Sequence, residues 1–142
     1  MSGEVKALKI STKGRYGLRM MIDIAEHDNG EWVTIKEISR RQGISMKYLE
    51  QIAPRLTHAS LLRSERGSQG GYRLMKMPWQ YTAGEILRAT EGELTPISYI
   101  DDDVILCERN DICSTFEFWK GLGEAIDDYV DSISLQEMIS NR

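Results

Sequence analysis

At 142 residues the chain has room for one domain, or for one small domain with an added oligomerisation element, and not for two independent large domains. Its 41% hydrophobic and 28% charged residues, with only three prolines, describe a globular chain that can bury a core and need not be disordered, and no apolar run approaches the ~20 residues of a membrane span. Met1 to Leu8 has no apolar stretch ahead of a small-residue cleavage site, so the expected location is the cytoplasm. The formal net charge of −4 hides a division along the chain. Residues 1–76 hold 14 Lys and Arg against 8 Asp and Glu, a balance of +6, whereas residues 77–142 hold 4 against 14, a balance of −10. A basic N-terminal half fits a phosphate-facing surface, and an acidic remainder would orient its approach; scattered solvated charge is the bland alternative.

Val5 to Ser11 is short and mildly apolar, either an extended arm or the lead-in to a helix. From Gly14, the residues Leu18, Met21, Ile22, Ile24 and Ala25 recur at helical spacing until Asp28-Asn29-Gly30 breaks the pattern. Thr34 and Glu37 have the spacing of a capping box, so a short second helix starts there, buries Ile35 and Ile38, and ends at Gln42-Gly43. Ser45 caps a third helix with Tyr48, Leu49, Ile52 and Leu56 at intervals of three and four. Two helices joined by a short glycine turn have the spacing of a helix-turn-helix, whose second helix reads DNA, although plain helical packing gives the same pattern.

The segment after the third helix favours the DNA reading. Leu61–Ser64 and Tyr72–Met75 are strand candidates around a glycine-rich tip, Glu65 to Gly71, and a hairpin directly after a recognition helix is a wing. Glycine lets the tip approach a backbone closely, Arg66 supplies charge, and Ser68 and Gln69 supply neutral donors. The tip lacks the Lys-Ser/Thr ending of a P-loop, which argues against a nucleotide cradle. After Pro78, Thr82 caps a fourth helix carrying Ile86 and Leu87 and ending near Gly92. Asp101-Asp102-Asp103 lacks the spaced ligands of a calcium loop and reads as a solvated turn. From Ser114 or Thr115 a long helix carries Phe118, Trp119, Leu122, Ala125, Ile126, Tyr129, Val130 and Ile133, and Ser134 caps one last short helix.

That stripe is too broad to leave in water, and a second copy of the chain is its simplest cover; an intramolecular core helix is the alternative. The expected architecture is mainly α with a small β-hairpin wing. Residues 1–92 form a winged helix-turn-helix, 93–113 a loop carrying Cys107 and Cys113, and 114–142 a dimerisation helix with a short terminal helix. Catalysis is not expected: His27 and His58 stand alone near helix ends, and no nucleophile triad or nucleotide motif is present. A winged helix that binds protein instead of DNA is the rival reading; the basic half and the donor-rich wing favour DNA.

Three motifs in order carry a family resemblance: Ile10-Ser11-Thr12-Lys13-Gly14-Arg15-Tyr16-Gly17, Tyr48-Leu49-Glu50-Gln51-Ile52, and Arg66-Gly67-Ser68-Gln69-Gly70-Gly71-Tyr72. From Lys9 onward the chain resembles the Rrf2 family of winged-helix regulators. The resemblance implies a homodimer joined through the long helix, acting on a palindromic DNA site, more often as repressor than activator. It assigns Ser45, Lys47, Glu50 and Gln51 to the major groove, Arg66, Gly67 and Ser68 to backbone or minor groove, and Tyr48 to a phosphate. By their chemistry, Lys47 can donate to guanine or phosphate, Gln51 can pair with adenine in two bonds, and Glu50 can accept from the cytosine amino group. Arg15 and Arg19, one turn apart, and Arg40 and Arg41, at the end of helix two, are further phosphate candidates, with plain surface charge as the alternative.

Family members that sense iron–sulfur status use three cysteines, the first two of which match Cys107 and Cys113. Trp119 stands where the third would fall, and Leu122 where some members place a histidine, so the ligand set is incomplete and no cluster is expected. A cluster completed by noncysteine ligands such as Glu108, Asp111 or a residue of the partner subunit, a redox-active thiol pair, and two merely packed thiols are the alternative readings of the cysteines. Members lacking the full cysteine set act with an enzyme partner, so an enzyme partner or a small-molecule effector in the dimer region is an alternative signal here.

Overall fold

The computed structural model describes residues 10–67, 70–96 and 110–140, with backbone alone for 110–114. Helix α1 (Thr12–His27) begins where Ser11 turns extended and its hydroxyl accepts the Lys13 amide. Helix α2 (Ile35–Gln42) opens on the capping box read from the sequence: the Glu37 amide donates to Thr34 Oγ1 at 3.1 Å and the Thr34 amide to Glu37 Oε1 at 3.0 Å. The Thr34 amide, and with it the Thr34 hydroxyl, donates to the Glu37 carboxylate and lowers its pKa. Gly43 then takes φ 68°, a left-handed conformation that side chains resist, and turns the chain into α3 (Met46–His58), whose cap Ser45 accepts the Tyr48 amide at 3.1 Å.

Strands β1 (Leu62–Glu65) and β2 (Gly71–Leu74) pair antiparallel, with Leu62 opposite Leu74 and Ser64 opposite Tyr72. The strands sit one residue away from the sequence reading because the Leu61 amide is spent closing α3, donating to Leu56 O at 2.9 Å. Val33, just ahead of α2, bridges to Tyr72 through bonds of 3.0 and 2.7 Å, so the hairpin is welded to the helix-turn-helix. A 3-10 turn (Pro78–Gln80) leads to α4 (Ala83–Glu91), again opened by a capping box from Thr82 and Glu85. The long helix α5 (Asn110–Ser132) and the short α6 (Leu135–Ser140), capped by Ser134, complete the chain.

The long helix begins earlier than Ser114, so Cys113 lies in its first turn and not in a preceding loop. Ser68, Gln69, Asp101-Asp102-Asp103 and Cys107 lie outside the described residues.

Met20, Met21 and Ile24 of α1, Ile38 of α2, Leu49, Ile52 and Leu56 of α3, Ile86 of α4 and Leu135 of α6 close one core, each worth ~1.5–3 kcal/mol of burial. Helix α1 lies directly on α4 because two glycines leave room. A Cβ on Gly17 would stand 2.8 Å from Thr90 Cγ2, and one on Gly14 2.7 Å from Glu91 Oε2. Arg88 of α4 holds α5 by forking to Asp131 (2.7 and 3.1 Å) and reaching Asp127 (3.0 Å). Those bonds, with Asp131's the larger contribution, raise the Arg88 pKa and lower that of Asp131.

Tyr81 ties the wing to the core. Its ring is fully buried, its hydroxyl donates to Leu61 O at 2.7 Å, and it accepts the Met75 amide at 2.8 Å. Burial pushes this phenol up. Tyr81→Phe strands the Leu61 carbonyl and the Met75 amide together, and the expected loss is ~1–3 kcal/mol in urea unfolding. A loss below half a kilocalorie would mean that water replaces the hydroxyl.

Candidate nucleic-acid interface

Helix α3 separates its two faces cleanly. Leu49, Ile52, Ala53 and Leu56 are buried, while Lys47, Glu50 and Gln51, related by three and four residues, are exposed together on the opposite side. Ser45 is exposed at the start of the same helix; its oxygen serves as the cap, and its hydroxyl proton is left to donate. Tyr48 differs from these. It is half-buried, its ring meets Tyr16 edge-on at 5.3 Å, and its hydroxyl is hydrogen-bonded to Thr12 Oγ1, so its phenol is already partnered within the fold.

The wing stands beside this face. Arg66 and Gly67 are exposed at the end of β1, Gly67 with φ 108°. Burial, and then the carboxylate of Glu50, push up the Tyr72 phenol, which places Glu50 within electrostatic reach of the hairpin. Arg15, Arg40, Lys47 and Arg66 are exposed and form no ion pair among the described residues, the condition a phosphate contact requires.

Two cations read from the sequence as phosphate candidates are occupied elsewhere. Arg41 turns inward to the fully buried carboxylate of Asp23, donating through Nη2 at 2.8 Å and Nε at 3.0 Å, which raises its own pKa. Arg19 binds the Gln42 side chain at 3.2 Å and the Gln42 carbonyl, and lies over the Tyr16 ring. Neither could be told from Arg15 and Arg40 in the sequence, because the acceptors lie 18 and 23 residues away. Sequence reasoning also passed over Trp32, whose ring carries Arg73 at 5.3 Å and Arg63 at 5.9 Å, and Glu91, which reaches across to α1. The Gly14 and Gly17 pair, one turn apart inside a helix, was the signal that α1 is closely approached.

At Trp119 and Leu122 the chain supplies no ligand for an iron–sulfur cluster, and the side chains of Cys107 and Cys113 lie outside the described residues. Trp119 packs edge-on against Phe118 at 4.9 Å, and an indole N–H donates without offering iron a lone pair; Leu122 offers no donor atom. No group of three or more His, Cys, Asp or Glu placed to hold a metal occurs among the described residues.

A helix-turn-helix with an exposed polar face on its second helix, flanked by a β-hairpin and by arginines that form no ion pair among the described residues, defines a winged-helix protein. Residues 10–141 match the Rrf2 family, described as iron-dependent transcriptional regulators. The chain is 35% identical over 133 residues to the HTH-type transcriptional regulator CymR of Bacillus subtilis, covering 94% of this chain and 91% of that one. It is 33% identical over 135 residues to the regulator IscR of Pectobacterium carotovorum, covering 95% and 81%. The solved structure of CymR, the global cysteine regulator of B. subtilis, superposes with a TM-score of 0.77 at 36% identity, covering 95% of this chain and 98% of that one. The chain belongs to the Rrf2 family, and DNA-binding transcription regulation is its function.

Proposed function

We propose that the chain is a homodimeric, non-enzymatic cytoplasmic repressor that reads a palindromic site with Ser45, Lys47, Glu50 and Gln51 in the major groove. In this reading Arg66, Gly67 and Ser68 meet backbone or minor groove, and Arg15 and Arg40 meet phosphates. The observation that carries it is the exposed triplet Lys47, Glu50 and Gln51 on one face of α3, backed by a buried apolar face and set beside the wing. Copies pair through α5, on which Phe118, Leu122 and Tyr129 are exposed. An incomplete cluster ligand set, together with likeness to a global cysteine regulator, favours control by an enzyme partner or a small metabolite over control by a bound cluster.

The test is fluorescence anisotropy on a duplex selected from random sequence, titrated across salt. Gln51→Ala is expected to weaken the selected site about 5- to 150-fold while leaving scrambled duplex unchanged, because it removes a base contact and no phosphate contact. Arg15→Ala is expected to weaken both equally and to reduce the salt slope by about one. Absence of salt-dependent binding to any duplex would turn the reading towards a protein-interaction module.

A further inference from the structure

We propose that Glu91, the last residue of α4, is a positioning residue for sequence reading, acting through the first turn of α1 on the recognition helix α3. The inference rests on α3 being the reader.

A helix start leaves amide donors without partners. In α1 the local cap Ser11 satisfies only Lys13, at 3.2 Å. The other bonds come from 77 and 80 residues away: Glu91 Oε2 accepts the Ser11 amide at 2.7 Å, the Ser11 hydroxyl at 2.7 Å and the Gly14 amide at 2.9 Å. Gly14 makes the approach possible, since a Cβ there would stand 2.7 Å from that oxygen and 2.9 Å from Glu91 Cγ. A carboxylate at this place also faces the positive end of the α1 dipole.

The turn that Glu91 grips is the turn that holds α3. Thr12, next to Ser11, bonds the Tyr48 hydroxyl, and Tyr16, one turn on, packs edge-on against the Tyr48 ring. Tyr48 sits between Lys47 and the pair Glu50 and Gln51. One turn before Glu91, Arg88 holds Asp127 and Asp131 of α5. Helix α4 therefore links the long helix to the reading helix, through Arg88 on one side and Glu91 on the other. Two-bond base contacts depend on tenths of an ångström, whereas phosphate contacts tolerate such shifts. Releasing the α1 turn should therefore degrade sequence discrimination and spare general DNA affinity, a pattern that loss of folding alone does not give.

The experiment uses the full-length protein and measures dissociation constants for the selected site and for a scrambled duplex at one salt concentration, at a temperature where urea unfolding shows each variant folded. Glu91→Ala and Thr12→Val are each expected to lower the ratio of specific to non-specific affinity about 3- to 30-fold, with scrambled-duplex binding constant within about twofold. The double variant should lose no more than the worse single one, because both break the same chain of contacts. Glu91→Gln keeps the side-chain volume and one acceptor oxygen, and should recover much of the ratio; it is also the variant to use should Glu91→Ala unfold. An unchanged ratio in the Glu91 variants, with Gln51→Ala reducing it, overturns the positioning role alone. An unchanged ratio in all of them overturns the reading role of α3 as well.

Discussion

Leu122→Glu is expected to give a folded monomer whose affinity for a palindromic site is lower by about 10²- to 10⁴-fold, the avidity that a second linked half-site supplies. The structure divides the apolar stripe of α5 into two. Trp119, Ile126, Val130 and Ile133 are half-buried, while Phe118 is 62% exposed, Leu122 37% and Tyr129 68%, with Ala125 exposed between them. Positions 118, 122, 125 and 129 fall on a single helical seam, the arrangement of a surface that pairs with its own copy. A charge at Leu122 would be desolvated in the proposed dimer and hydrated in a monomer, so it acts against association and leaves the α4–α5 contact through Arg88 intact. Sedimentation velocity and binding to a palindrome and to a half-site check this. A variant that stays dimeric with unchanged palindrome affinity would place the interface away from this seam.

The second large effect is on stability. Asp23→Ala is expected to cost ~3–5 kcal/mol, towards the lower figure, from breaking a buried ion pair. Asp23 has no exposed surface, and its two oxygens accept Arg41 Nη2 at 2.8 Å, Arg41 Nε at 3.0 and 3.3 Å, and Gln42 Nε2 at 2.9 Å. Removing the carboxylate leaves a guanidinium facing a void at the joint between α1 and α2. The Arg41 side chain keeps 22% of its surface in water and lies 3.8 Å from Glu37, so part of its charge finds new solvation, which sets the lower figure. Domain stabilities are commonly ~5–15 kcal/mol, so such a loss should shift the urea midpoint visibly. A change under ~1 kcal/mol would show that Arg41 simply re-pairs with Glu37.

The readable features were those whose cause lies within a few residues. Thr34 with Glu37, Thr82, Ser45, Ser134 and Gly43 start and stop their helices through bonds to near neighbours, and each does in the fold what its spacing announced. The hairpin was legible for the same reason, and its ends moved by one residue because Leu61 answers to α3. The exposed face of α3 followed from the period of Leu49, Ile52 and Leu56, since residues out of phase with a buried stripe must face away from it.

The amino-acid sequence by itself thus determined the helices, the glycine turn, the wing and the exposed polar face of α3, because backbone capping and hydrophobic period are local. Only the tertiary structure decided what the charges do. Four arginines looked alike as phosphate contacts, yet Arg41 turned inward to Asp23 and Arg19, itself exposed, is held by Gln42, whereas Arg15 and Arg40 are exposed and form no ion pair among the described residues. The same holds for Glu91 of α4 gripping the start of α1, Tyr81 beneath the wing and Arg88 of α4 holding α5, whose partners lie between 5 and 80 residues away along the chain. Most of those pairings depend on which helix packs on which, and packing is set by the whole core at once.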